Sequence, residues 1–207
     1  MAALSGRPVI EVKKMINIDG MVYIGNHGLE RWVEGHSEFV EEARDYPPLI
    51  RALTEELARR LSLEGIIIEN KGVTATIHYR LCPDHQSARK EILSAIENSP
   101  HAQGLQVMSE SKYAINLLPP VKVDKGTSVL TLIREHNLRA GIYLGDDITD
   151  IYAFRAIRTA SHPDFRGLAI GVAGPEMPAE LPTEADFTLN GVADVERLLG
   201  WISGQVG

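Results

Sequence analysis

Cysteine is nearly absent. Cys82 is the single thiol among 207 residues, which excludes an internal disulfide or a thiolate zinc cluster and fits a reducing compartment. Positive charge is also in deficit, with 21 Lys and Arg against 28 Asp and Glu and a formal charge of -7. No basic patch offsets it, so nucleic acid is excluded as a partner. No apolar run approaches the roughly 18 residues of a membrane span, and the N-terminus carries no signal-peptide core. The chain therefore reads as cytoplasmic and free of the membrane. It has no repeats or low-complexity tracts, and Gly 18 and Pro 11 are near ordinary usage. What is present is ample: 44% hydrophobic residues can bury a core, in one domain or one domain with a smaller inserted unit.

The opening MAALSGRPVIEV reads as the end of a strand, a Ser-Gly turn, and a short helix begun at Pro8. Met21 to Gly25 reads as a strand and NHGLERW as a polar loop. Leucines at 49, 53, 57 and 61 mark an amphipathic helix over 49–64, ended by Gly65. Two β runs flank Glu69-Asn-Lys-Gly72, where Gly72 suits a hairpin turn. A helix over 85–98 and strands at 105–109 and 113–118 follow. From Lys125 the pattern changes to helix, apolar strand and helix in alternation, the grammar of a parallel α/β sheet.

Chemistry concentrates at Tyr143-Leu-Gly-Asp-Asp-Ile-Thr-Asp150, where a strand ends and a helix begins. Asp146, Asp147 and Asp150 can converge on a cation, and an oxygen-only donor set suits Mg²⁺. The same acids can equally cap the helix and face water. Lys125 at a helix start can reach an anion or can be a solvated surface lysine. Ser5 and Arg7 place a hydroxyl and a guanidinium in a tight turn that either binds phosphate or is only a turn. Together these are parts of a phosphoryl-transfer site lacking a nucleophile.

SGRPVIEVKK, YIGNHGLERW, KGVTATIHYR, VDKG and YLGDDITDIYAF stand in an order and spacing that resembles the haloacid dehalogenase superfamily, and within it the trehalose 6-phosphate phosphatases. The resemblance covers nearly the whole chain. It implies an α/β fold with a Rossmann-like parallel core over 1–26 and 119–207 and an inserted α+β cap over 27–118. It implies Mg²⁺-dependent hydrolysis of trehalose 6-phosphate through an aspartyl-phosphate. Ser5 would hold the transferring group, Lys125 would stabilise the aspartyl-phosphate, Asp146 and Asp147 would bind metal, and Asp150 would support it. Arg7, Asn26, His27, Gly28, Glu30, Glu69, Lys71, His78 and Arg80 would meet the substrate. It further implies a monomer, with a trehalose-phosphate synthase as candidate partner.

The resemblance also implies a central strand ending in Asp-x-Asp-Gly-Thr, which nothing before Ser5 supplies. Asp19-Gly20 looks like a fragment of it but stands after the Ser5 turn, out of family order. The expectation is thus a misassigned start or a truncation, with negligible turnover by these 207 residues. A sugar-phosphate-binding protein without catalysis is the alternative, as is a phosphatase completed by a second polypeptide. Asn116-Leu117-Leu118 stands where the family has Glu-hydrophobe-Arg, and Ile151 where it has Glu. Another glycosyl phosphate is therefore an alternative substrate.

Overall fold

The computed structural model describes residues 1–109, 113–160 and 165–205. They form two compact units, Met1–Lys122 and Val123–Gly207.

In the first unit, β1 (Ala2–Leu4) leads through the Ser5 turn to α1 (Val9–Ile16) and on to β2 (Val22–Gly25), which pairs parallel to β1. Val9 and Val12 of α1 pack on Tyr23 of β2, so a short helix is held by its apolar face rather than by its own length. Residues 30–33 form no polar loop. They are β3 (Glu30–Val33), antiparallel to β2 and joined to β4 (His36–Phe39) by a two-residue turn. Glu34 and Gly35 take φ of 47° and 93°, the positive values such hairpin turns need. Flanking charge concealed the strand in the sequence, although Glu-Gly between alternating residues carried the signal. The sheet β1-β2-β3-β4 consequently runs across residues 26 and 27.

Helix α2 (Pro47–Arg60) stops four residues short of the expected end. Leu61 turns extended and buries its side chain instead of continuing the helix. Next come β5 (Ile67–Asn70), β6 (Ala75–His78), α3 (His85–Glu97), β7 (Gln106–Met108) and β8 (Ala114–Leu118). The strands form an antiparallel sheet ordered β5-β6-β8-β7. One face, with Ala75, Ile77, Ile115 and Leu117, packs on Ile50, Leu53 and Leu57 of α2 and on Ala88, Ile92 and Ile96 of α3. Period-2 alternation leaves Glu69, Thr76 and Asn116, successive register partners, together on the other face.

The second unit comprises α4 (Lys125–Glu135), β9 (Ala140–Gly145), α5 (Asp150–Thr159), β10 (Arg166–Val172), α6 (Leu181–Glu184), β11 (Phe187–Leu189) and α7 (Val192–Gln205). Its sheet, ordered β11-β10-β9, is wholly parallel, as the strand-helix alternation predicts. Parallel pairing thus occurs in both stretches expected to make the core, as two separate sheets. No helix among the described residues is long and apolar enough to cross a membrane.

Candidate functional site

In the second unit the acidic motif folds around one carboxylate. Asp150, 4% exposed, opens α5. Its Oδ1 accepts from the Lys125 ammonium and the Tyr143 hydroxyl, each at 2.7 Å. Its Oδ2 accepts from the backbone N–H groups of Asp146 and Asp147, at 3.1 and 3.0 Å. Four donors make this a satisfied buried charge, which needs such partners to be tolerated. Burial, and then the adjacent Asp150 charge, push the Tyr143 phenol well above its ordinary value, so it remains a donor.

Two glycines make the geometry possible. At Gly126 an added Cβ would lie 2.6 Å from the Tyr152 carbonyl oxygen, so α4 and α5 approach through that gap. At Gly145 it would overlap the Asp150 side chain, 2.7 Å from Oδ2. Gly145→Ala is accordingly expected to destabilise the second unit by about 1–3 kcal/mol, the usual cost of overpacking, measured by urea unfolding.

The other two acids differ. Asp147 accepts from the Ile148 N–H at 2.8 Å and the Thr149 hydroxyl at 3.1 Å, so it shapes the entry to α5. Asp146 opens to solvent. Its carboxyl is nevertheless held above the ordinary carboxylate value by partial burial first, then by the charges of Asp150 and Asp147, with Lys125 opposing. Asp124 closes a capping box with Thr127, which fixes the first turn of α4 and the base of Lys125. Sequence reasoning missed Tyr143, whose only signal was a polar tip two residues before the Gly-Asp-Asp.

In the first unit the Ser5 turn is bound to the end of β2. Ser5 N–H donates to Ile24 O, Asn26 N–H to Arg7 O and His27 N–H to Ser5 O, at 3.0, 2.8 and 3.0 Å. The Arg7 N–H donates to Ser5 Oγ at 3.1 Å, a hydroxyl-stabilised turn. Gly25 permits this approach, since a Cβ there would lie 2.7 Å from Arg7 O. The His27 ring lies against Gly6, and Gly28 completes the short turn begun at Asn26.

Glu69, Lys71 and His78 are brought together. Glu69 Oε2 is 3.1 Å from His78 Nε2 and 3.6 Å from Lys71 Nζ, and Lys71 Nζ donates to Gly6 O at 3.3 Å. Burial holds the Lys71 ammonium below its ordinary pKa, with Glu69 opposing. Arg80 follows two residues after His78, past the end of β6, exposed and 5.9 Å from the Tyr113 ring. Asn26 and Glu30 are buried at 0% and 4% exposure and hydrogen-bonded within the protein. Thr74 and Thr76, absent from the expected set, are buried polar partners of Asn26 and Asn116. Their signal was a β alternation that placed polar side chains on one face. Asp19 is fully exposed at the far end of α1 and pairs with Lys13 at 3.7 Å. Open clefts of about 520 and 700 Å³ beside α3 are lined by none of the expected site residues.

Solved structures resemble the chain along its length. A trehalose-6-phosphate phosphatase related protein has a TM-score of 0.78 at 22% identity, covering 97% of this chain and 79% of that one. The C-terminal domain of a C. albicans trehalose-6-phosphate phosphatase gives 0.73 at 20%, covering 98% and 77%. The chain shares the fold of these solved structures. It belongs to the trehalose-phosphatase family of the haloacid dehalogenase superfamily, and the family profile matches residues 1–192. Similar proteins include trehalose-phosphate phosphatases of Mycobacterium avium (32% identical, 76% of this chain and 41% of that protein) and Mycobacterium marinum (31%, 100% and 52%). A probable trehalose-phosphate phosphatase 3 of Oryza sativa subsp. japonica is 25% identical over 96% and 57%. The chain spans about half the length of these relatives.

Proposed function

We propose that the chain carries the phosphate- and sugar-binding parts of a magnesium-dependent trehalose 6-phosphate phosphatase that works through an aspartyl-phosphate. The observation that carries this reading is the buried Lys125–Asp150 pair at 2.7 Å, seated where β9 ends in Gly-Asp-Asp. An ammonium has three donors, and Asp150 occupies one while fixing the group's direction. A cation held this way meets phosphoryl oxygens without reorganising, which is how electrostatic stabilisation lowers a barrier. The names of the mycobacterial relatives support trehalose 6-phosphate as the substrate.

The donor set fits magnesium in a limited way. Among the described residues no three His, Cys, Asp or Glu side chains form a metal cage. Mg²⁺ requires none, since it keeps waters and takes one or two carboxylates together with phosphate oxygens. Asp146 is the carboxylate that suits it, because its charge is disfavoured beside Asp150 and Asp147 and a cation would relieve that. Asp150 serves as organiser, with its oxygens already taken by protein donors. When bound, the ion would neutralise charge on the phosphoryl group.

Ser5 is assigned to the phosphoryl group, and Glu69, Lys71 and His78 to sugar hydroxyls, for which they offer both acceptors and donors. The cap role, choosing the sugar and excluding water, goes to residues 27–118, and the core role to 1–26 and 119–207. The attacking carboxylate is not Asp19, given its exposure and its position beyond α1. One observation favours a different glycosyl phosphate: Asn116 accepts from Thr76 at 2.7 Å and Leu118 is buried, so these two positions supply neither a carboxylate nor a guanidinium.

Calorimetric titration of the chain with trehalose 6-phosphate, glucose 6-phosphate and inorganic phosphate, with Mg²⁺ and then with chelator, tests the reading. Trehalose 6-phosphate is expected to bind at least about tenfold more tightly than glucose 6-phosphate, a difference of about 1.4 kcal/mol, and to weaken on chelation. Equal affinities indifferent to Mg²⁺ would overturn it.

A further inference from the structure

Asn26 occupies an unusual position for a residue expected to touch substrate. It is fully buried, and its amide donates one hydrogen to Glu30 Oε2 at 2.8 Å and the other to Lys71 O at 3.0 Å. Its oxygen accepts from the Thr74 hydroxyl at 2.7 Å. The surrounding groups allow only this orientation of the amide, because two acceptors face the nitrogen and a hydroxyl donor faces the oxygen. No N–H remains for a ligand.

Glu30 is placed in the same way. Its Oε2 also accepts from the Val9 N–H at 2.8 Å, the first residue of α1 and the second after Arg7. A buried carboxylate at a helix N-terminus is well placed to fix where that helix starts. The route therefore runs from the start of α1 through Glu30 and Asn26 to both ends of the Lys71–Thr74 turn. It closes on itself, because Lys71 Nζ donates to Gly6 O and Lys71 N–H to Thr74 O. Thr74 is 2% exposed, so the ring is shielded from water over most of its length.

We propose that Asn26 and Glu30 are positioning residues that clamp the Ser5–Arg7 turn to the Lys71–Thr74 turn, so that a sugar phosphate engaging one turn orders the other. The ligand in this statement rests on the proposed function, whereas the clamp rests on the hydrogen bonds alone. A phosphoryl-binding hydroxyl and a sugar-binding lysine then keep a fixed separation, which is what orienting a phosphorylated sugar requires. Buried and fully satisfied polar networks of this kind rigidify what they connect.

Hydrogen exchange measured by NMR tests the clamp without any ligand. Thr74→Val keeps the shape of the side chain and removes only the donor to Asn26. It is expected to raise exchange at the Val9, Asn26 and His27 amides by at least about tenfold, the response to a local opening. Ile77 and Ile115, in the sheet Thr74 leads into, should change less than about threefold, and Thr74→Ser should restore the slow exchange. Asn26→Ala gives the same pattern more strongly if it folds, and Thr74→Val stands alone if it does not. Unchanged exchange at Val9, or an equal rise at Ile77 and Ile115, would overturn the clamp.

Trehalose 6-phosphate then separates the two claims. In the unsubstituted chain it should slow exchange at both Val9 and Lys71, and in Thr74→Val at one turn only. If it protects neither turn in the unsubstituted chain while the Thr74→Val pattern holds, the ligand assignment fails and the clamp stands.

Discussion

Lys125→Met is expected to destabilise the second unit by about 3–5 kcal/mol, the range for removing one partner of a buried ion pair. Lys125 and Asp150 are 6% and 4% exposed, so neither charge can be rescued by water. Methionine fills similar volume, which keeps the loss electrostatic rather than a cavity effect. Asp150 would still hold the Tyr143 hydroxyl and two backbone N–H groups, which sets the loss toward the lower end of that range. Adding Asp150→Asn should recover a good part of the stability, because the stranded charge is then gone. Both variants should lose affinity for inorganic phosphate alike, since both lack the oriented cation. Urea unfolding followed at the β10 amides, with phosphate titration beside it, checks this. A single substitution costing under about 1 kcal/mol would mean that the pair behaves as an exposed one.

Asp146→Asn should separate stability from ligand binding. The fold holds the Asp146 proton to higher pH than the unfolded chain does. Between the ordinary carboxylate value and the raised folded value the native state therefore binds more protons, and stability falls as pH rises through that window. Asparagine removes the charge, so without Mg²⁺ the variant should melt higher at neutral pH and show a flatter dependence across the window. The same change removes the anionic oxygen assigned to the metal. The strengthening of trehalose 6-phosphate binding by Mg²⁺ should then fall by at least about tenfold. Calorimetric titration and thermal melts at several pH values check both halves. Undiminished Mg²⁺ dependence would remove Asp146 from the metal site.

Much of the second unit was legible in the sequence because its signals are local. An apolar run ending in Gly-Asp-Asp reads as a parallel-sheet strand turning into a helix, as β9 and α5 are, and Asp124-Lys125-Gly126-Thr127 carries its own cap. The first unit was harder to read. Strand β3 bears Glu, Arg and Trp, and it is a strand through its pairing with β2 and β4 rather than through its composition. Asn26, Glu30 and Arg80 were grouped with Lys71 because their motifs pointed to one ligand. The fold buries Asn26 and Glu30 in a hydrogen-bonded ring and leaves Arg80 exposed, two residues past the end of β6, which no local motif announces.

The sequence by itself determined which chemical groups are available. Residue types and their order along the chain decide which charges and hydroxyls exist, and near neighbours such as Asp146 and Asp147 stay together in any fold. Only the tertiary structure decided what each group does there. Lys125 and Asp150 are 25 residues apart, as are the ends of no local turn, and they meet because α4 and α5 approach at Gly126. Asn26 and Thr74 are separated by 48 residues and bond because the end of β2 lies against the turn that opens β6. Whether a carboxylate binds a metal, caps a helix or satisfies a lysine depends on which donors reach its oxygens, and that is settled by packing at a distance of a few ångströms.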